Sequence, residues 1–217
     1  MVLVKICGIT NFADAQAAVD AGANWLGFNF YPRSPRFIAK ADAAKIRIRL
    51  PGTVESVGVF VNASAADVAA LYRDVRFSAV QLHGDEAPDV VRELSRLLKV
   101  IKAFRVDAKF PPEKFAEYPE AFAFLLDAAL AGQFGGTGQT TDWELARKAA
   151  ETHHIFLAGG LKIDNVAAAI RFVRPYAVDV ASGVERKPGR KDHGKLREFI
   201  QEVRRAELQL DAAAQNA

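Results

Sequence analysis

The chain has 217 residues, 50% hydrophobic and 25% charged, with a formal net charge of +3. That length suits one domain with a core of its own, and a single cysteine excludes an internal disulfide. His83, His153, His154 and His193 are too dispersed for a local metal motif, no apolar run approaches the roughly 18 residues of a membrane span, and the basic residues are scattered rather than gathered as on a nucleic-acid-binding face.

The N-terminal stretch MVLVKICGIT is too short and too soon charged for a signal peptide, so a soluble, cytoplasmic chain is expected. Short runs rich in Val, Ile, Leu and Phe then alternate with amphipathic stretches. The first run is Val2–Ile6, followed by a helix that Asn11 caps and Gly22 closes. Asn24–Phe30 is the second strand and Val54–Val61 the third. Ser64 caps the next helix, whose apolar stripe is Val68, Leu71, Tyr72 and Val75. Ser78–Leu82 is the fourth strand, and Val90, Val91, Leu94, Leu97 and Leu98 make the stripe after it. Lys99–Phe104 is the fifth, with a helical segment near Pro111–Tyr118 that three prolines weaken. Ala121–Asp127 is the sixth, and Thr141 with Glu144 fits a capping box. Ile155–Ala158 and Ala177–Ala181 complete the strands. A last helix carries Leu196, Phe199, Ile200 and Val203, and residues 208–217 are expected to fray.

The strands are nearly continuously apolar, as in a parallel sheet covered on both faces. Their starts recur about every 25 residues, the size of a strand–helix unit. Eight such units predict an α/β fold: a single-domain (β/α)8 TIM barrel over residues 1–207. An open doubly wound sheet is the rival, but Cys-Gly-Ile-Thr follows the first strand where a glycine-rich dinucleotide turn is expected.

In such a barrel, chemistry sits where the strands end. Cys7 ends the first strand, either as a small buried hydrophobe or as a reactive thiol. Lys5 would favour the thiolate unless strand alternation points it elsewhere. Asp127 ends an apolar run, where partial desolvation suits a general acid, although an N-cap or ion-pair role is also open. Gly159, Gly160, Ser182 and Gly183 follow the last two strands, where this fold frequently binds phosphate through backbone N–H groups; plain tight turns are the alternative, which two such loops in adjacent units disfavour. Gly136, Thr137 and Gly138 suit a covering loop, since no Gly-Lys-Ser/Thr follows to make a P-loop. His83 is as readily structural as catalytic.

Together KICGIT (5–10), SPR (34–36), GVFVN (58–62), QLHGDE (81–86), LLD (125–127), GGTG (135–138) with Asp142-Trp143, LAGGL (157–161), DVASGVE (179–185) and PGRKD (188–192) resemble the phosphoribosylanthranilate isomerase family of tryptophan biosynthesis. The resemblance runs from residue 4 to about 203 in the family's order. It implies an Amadori rearrangement of an aminoaldose to an aminoketose by proton transfers alone, without cofactor or metal. It assigns Cys7 as general base, Asp127 as general acid, Arg36 as partner of the anthranilate carboxylate and Asp179 as ligand of the sugar hydroxyls. Residues 159–160 and 182–183 would hold the phosphate, with Gln81 and His83 lining the site. Ala181 departs from the family's more usual Ser, and Gln139-Thr140-Thr141 from its Lys-Thr-Phe.

The expected partner is a small phosphosugar, not nucleic acid or membrane, with a monomer favoured over a homodimer. Another phosphosugar isomerase or epimerase on the same barrel stays open, as does a non-catalytic phosphosugar binder. Cys7 argues against the histidine-pathway isomerase, which has an aspartate at that place. A single strand-end histidine argues against a metal-dependent epimerase.

Overall fold

Eight parallel strands hydrogen-bond in sequence order, and the first pairs with the last to close the ring. The computed structural model describes residues 1–107, 109–128 and 141–215. The strands are β1 (Leu3–Cys7), β2 (Trp25–Asn29), β3 (Glu55–Phe60), β4 (Ala79–Leu82), β5 (Lys99–Val106), β6 (Ala123–Ala128), β7 (Ile155–Ala158) and β8 (Ala177–Val180). Each falls within two residues of its expected limits at either end. The helices α1 (Phe12–Ala21), α2 (Lys40–Arg47), α3 (Ala65–Val75), α4 (Pro88–Ser95), α5 (Thr141–Ala150), α6 (Val166–Val173) and α7 (His193–Gln215) lie between or after them.

Local chemistry explains the helix ends. The Asn11 side chain accepts from the Asp14 N–H at the start of α1, and Gly22 ends it in the left-handed region at φ 100°. Ser64 caps α3 by accepting from the Asp67 N–H. The Thr141 side chain, the expected capping partner of Glu144, lies outside the described residues, as do Gly136, Thr137 and Gly138. The expected fifth α-helix is a 3₁₀ helix, Pro112–Glu117. Pro111 and Pro112 lack N–H donors and Pro119 stops any extension. Leu97 also departs from expectation: α4 ends at Ser95, so Leu97 leaves the apolar stripe and is exposed. The last helix continues to Gln215, past the point where fraying was expected; its Leu and Ala residues are strong helix formers, and Leu210 packs on the core. A short hairpin that the sequence reading treats as loop follows β8, with β9 (Glu185–Lys187) and β10 (Arg190–Lys191) joined through Gly189 at φ 73°.

Two apolar cores result. The larger lies between barrel and helices and holds Leu196, Phe199, Ile200 and Val203 of α7. The smaller fills the barrel: Trp25, Val57, Ala79, Ile101, Ala123, Leu125, Phe156 and Ala177 belong to it, and Leu3 and Cys7 pack against it. Because side chains alternate along a strand, residues two steps from these also face inward. Lys5, Gln81, Asp127 and Asp179 are thereby placed in the barrel or at its mouth.

Loops at the mouth are tied by charge. Lys102 donates to Glu86 at 2.9 Å and to the Gly84 carbonyl at 2.6 Å, and both side chains are 1% exposed. Glu86 in turn accepts from the Asn62 and Gly84 N–H groups, joining the loops after β3 and β4. Replacing Glu86 with Gln leaves the ammonium buried without its counter-charge. Urea unfolding of Glu86→Gln should show a loss of about 3–5 kcal/mol; a loss below about 1 kcal/mol, the range of a surface pair, contradicts the structural role given to this pair.

Candidate active site

β1 ends at Cys7, and the chain turns there because Gly8 adopts φ 77°. Room for the sulfur comes from β2: a Cβ on Gly27 would lie 2.9 Å from Sγ. A Cβ on Gly8 would lie 2.5 Å from Cδ of Arg36, so the Arg36 stem crosses the turn just after the thiol. Its guanidinium forks onto Glu185, Nε to Oε1 at 2.9 Å and Nη2 to Oε2 at 2.7 Å. Lys191 of β10 donates to the Cys7 carbonyl at 2.6 Å, the Ala181 carbonyl at 3.1 Å and Glu185 Oε1 at 3.0 Å. The hairpin thus clamps the end of β1. Behind it, Asp14 accepts from the Lys191 N–H at 2.9 Å and contacts His193 Nε2 at 2.8 Å.

Lys5 stands two residues before Cys7 and therefore on its face of the strand. Strand alternation does not carry it away, as the sequence reading allowed, but brings it under the thiol. Its neighbour on β8 is Asp179, paired with it in strand register, and Nζ lies 3.0 Å from Oδ1.

These groups set each other's ionisation. Burial pushes the Cys7 thiol above its ordinary pKa, with Lys5 and Lys191 opposing and Asp179 adding to the rise. Burial pulls Lys5 down, but Asp179 and Cys7 outweigh it and leave the ammonium above its usual range. Burial wins at Lys191, which is lowered despite Glu185. Burial would raise Glu185, but Arg36 and Lys191 overturn this and hold its carboxyl below the ordinary range.

Asp127 ends the inward row of β6, and its side chain is 36% exposed. His83 Nε2 lies 3.7 Å from Asp127 Oδ2. His83 Nδ1 is 2.7 Å from Gln81 Nε2, so the Gln81 amide meets one ring nitrogen while the other faces Asp127. A cavity of about 340 Å³ adjoins this side, lined by Asn62, His83, Asp85, Phe104 and Arg105 among others. A larger one of about 400 Å³ lies where β6 begins, against His153 and His154, at the opposite end from these groups. Gly159 and Gly160 take φ 83° and 61°, which side chains rarely adopt. A Cβ on Gly183 would meet the Leu161 carbonyl oxygen at 2.0 Å, so the loops after β7 and β8 are in direct contact, with Ser182 beside them.

Cys7, Arg36 and Asp179 therefore gather on one side, Gln81, His83 and Asp127 on another, and the four glycine-loop residues at the ends of β7 and β8. Glu185 and Lys191 were not singled out from sequence, although both lie in the DVASGVE and PGRKD segments. The Pro188-Gly189 pair is the signal that marks their hairpin. Among the described residues, no group of three or more His, Cys, Asp or Glu side chains could hold a metal ion.

Residues 4–202 match the family model described as N-(5'phosphoribosyl)anthranilate (PRA) isomerase. A curated relative from Trichlorobacter lovleyi, named N-(5'-phosphoribosyl)anthranilate isomerase, is 51% identical over 207 residues, covering 95% of this chain and 100% of the relative. The crystal structure of phosphoribosyl anthranilate isomerase from Thermotoga maritima superposes with a TM-score of 0.85 at 43% identity, covering 94% of this chain and 99% of that one. A structure of the isomerase in complex with reduced 1-(o-carboxyphenylamino)-1-deoxyribulose 5-phosphate gives a TM-score of 0.84 at 41% identity, with the same coverage.

The raised thiol pKa has a sign that can be measured. Fewer thiolates are present at neutral pH than for an ordinary cysteine, so iodoacetamide should alkylate Cys7 slowly there and faster as pH rises. The midpoint should lie above the ordinary value of about 8.5. Followed by mass, with one cysteine to modify, a midpoint at or below that value contradicts the assignment.

Proposed function

The chain belongs to the N-(5'-phosphoribosyl)anthranilate isomerase family of aldose–ketose isomerases, and we propose that its rearrangement runs on Cys7 as general base and Asp127 as general acid. The observation that carries this reading is the placing of these two side chains on the inward rows of β1 and β6, at the strand ends, in a barrel matched along nearly its whole length by isomerases.

Phosphate is held by the backbone of Gly159, Gly160, Ser182 and Gly183, at the ends of the last two strands. The anthranilate carboxylate takes the Arg36 fork, displacing Glu185. Asp179 accepts from the sugar hydroxyls. Asp127 then gives a proton to the furanose ring oxygen as the C1–O bond breaks, and the anilinic nitrogen lone pair forms the C=N bond of a Schiff base. The Cys7 thiolate removes the proton from C2, and those bonding electrons return to nitrogen through an enolamine. Tautomerisation of the enolamine gives the ketone. His83, whose Nε2 faces Asp127, orients that carboxyl, and Gln81 orients His83.

One chain is taken as the working unit, with a homodimer as the alternative. A cytoplasmic setting fits a lone thiol that must stay reduced. No described helix is long and apolar enough to cross a membrane.

Purified protein mixed with phosphoribosylanthranilate should quench the substrate's fluorescence as product forms. Cys7→Ala and Asp127→Asn should each lower kcat by about two orders of magnitude or more while melting like the parent; near-normal turnover in either removes that residue from its role. Arg36→Lys should raise KM by about tenfold or more, because an ammonium cannot reproduce the two-pronged contact. An unchanged KM would place the anthranilate carboxylate elsewhere.

A further inference from the structure

Lys5 has no part in the proton transfers above, yet its side chain is fully buried and charged. An ammonium in that position is costly unless its donors are used. Its contact with Asp179 is close but poorly aligned: Lys5 Nζ and Asp179 Oδ1 are both buried, and neither makes a hydrogen bond of good geometry. Lys191, the other ammonium near the sulfur, differs in this respect. Its three donors meet three acceptors, the Cys7 and Ala181 carbonyls and Glu185. Lys191 is committed to holding backbone, whereas Lys5 keeps N–H groups for the atom above it. That atom is Cys7 Sγ, two residues further on and on the same face of β1.

We propose that Lys5 is a positioning residue for the base: from inside the barrel its ammonium supplies the counter-charge and an unused donor that ease formation of the Cys7 thiolate against the cost of burial. The inference rests on the reading of Cys7 as the general base. Around the sulfur stand Lys5 on β1, Asp179 on β8, Lys191 on β10, Arg36 after β2 and Glu185 on β9, with Asp14 and His193 behind Lys191, and Asp127 and His83 elsewhere at the mouth. Among them Lys5 and Lys191 favour the thiolate and Asp179 opposes it. Asp179 has a second duty in this arrangement. It keeps Lys5 protonated while opposing the thiolate, so the two residues act on Cys7 with opposite sign.

That opposition is the test. Iodoacetamide alkylation of the sole cysteine, followed by mass against pH, reads the thiol directly and without turnover. Lys5→Met should move the midpoint up by about one to three pH units, and Asp179→Asn should move it down. Lys5→Arg should restore most of the parent value. The ascending limb of kcat/KM for Lys5→Met should shift with its thiol. Should Lys5→Met fail to fold, Lys5→Met/Asp179→Asn removes both charges and leaves a neutral interior, and its midpoint should still rise, by less than in the single variant. A midpoint in Lys5→Met, or in the double variant, that coincides with the parent overturns the proposal. So does movement of Lys5→Met and Asp179→Asn in the same direction, as a general loosening of the barrel would give. A thiol midpoint that moves while the kcat/KM limb stays fixed overturns the base assignment instead, and leaves the hold of Lys5 on the thiol standing.

Discussion

Closure of the sheet between β1 and β8 is the constraint from which the remaining features follow. Once the ring is shut, every second side chain of eight strands shares one interior with no route out except the mouth. The interior is therefore graded along its axis. Trp25, Phe156, Ala123 and Ala177 pack its N-terminal half. Lys5, Gln81 and Asp179 come next, polar and buried. Cys7, His83 and Asp127 follow at the rim. A thiol and a carboxyl far apart in sequence are both set at the mouth because each ends the inward row of its strand.

The second organising element is the charge cluster built by the hairpin after β8. Glu185 receives both Arg36 and Lys191, and Lys191 reaches the Cys7 carbonyl. Buried ions of this kind add little net stability, because desolvation offsets most of their attraction. Their value is in geometry. Each has several fixed partners, so the Arg36 guanidinium and the turn that carries the thiol are located relative to each other by the fold itself.

The barrel was legible in sequence because its strands are short, apolar and evenly spaced, a pattern that few folds share. Cys7, Asp127 and the paired glycines could be picked out from position alone, since strand ends are where this architecture places chemistry. Lys5 was harder: its burial depends on Asp179, which is distant in sequence, and a lysine within an apolar run gives no sign of its partner. Glu185 and Lys191 lay hidden for a related reason, in a charged stretch that reads as solvated loop until Asp14, Arg36 and the Cys7 carbonyl are brought against it. The 3₁₀ helix shows a limit of another kind. Phe115 keeps its place in an aromatic cluster with Phe104 and Phe124, so the spacing of apolar residues persists although the prolines deny them an α-helix.

The tie from Lys191 to the Cys7 carbonyl spans 184 residues. Other bonds across the same seam join the first and last parts of the chain: Arg204 donates to the Val2 carbonyl at 2.9 Å, and the Val2 N–H bonds to Glu207. On a ribosome, the strand bearing the thiol emerges long before the residues that clamp it. Partial barrels formed on the way can pair strands and bury apolar surface, but they hold an unclamped thiol. The turn that carries the thiol is thus clamped only after the hairpin that follows β8 has been made.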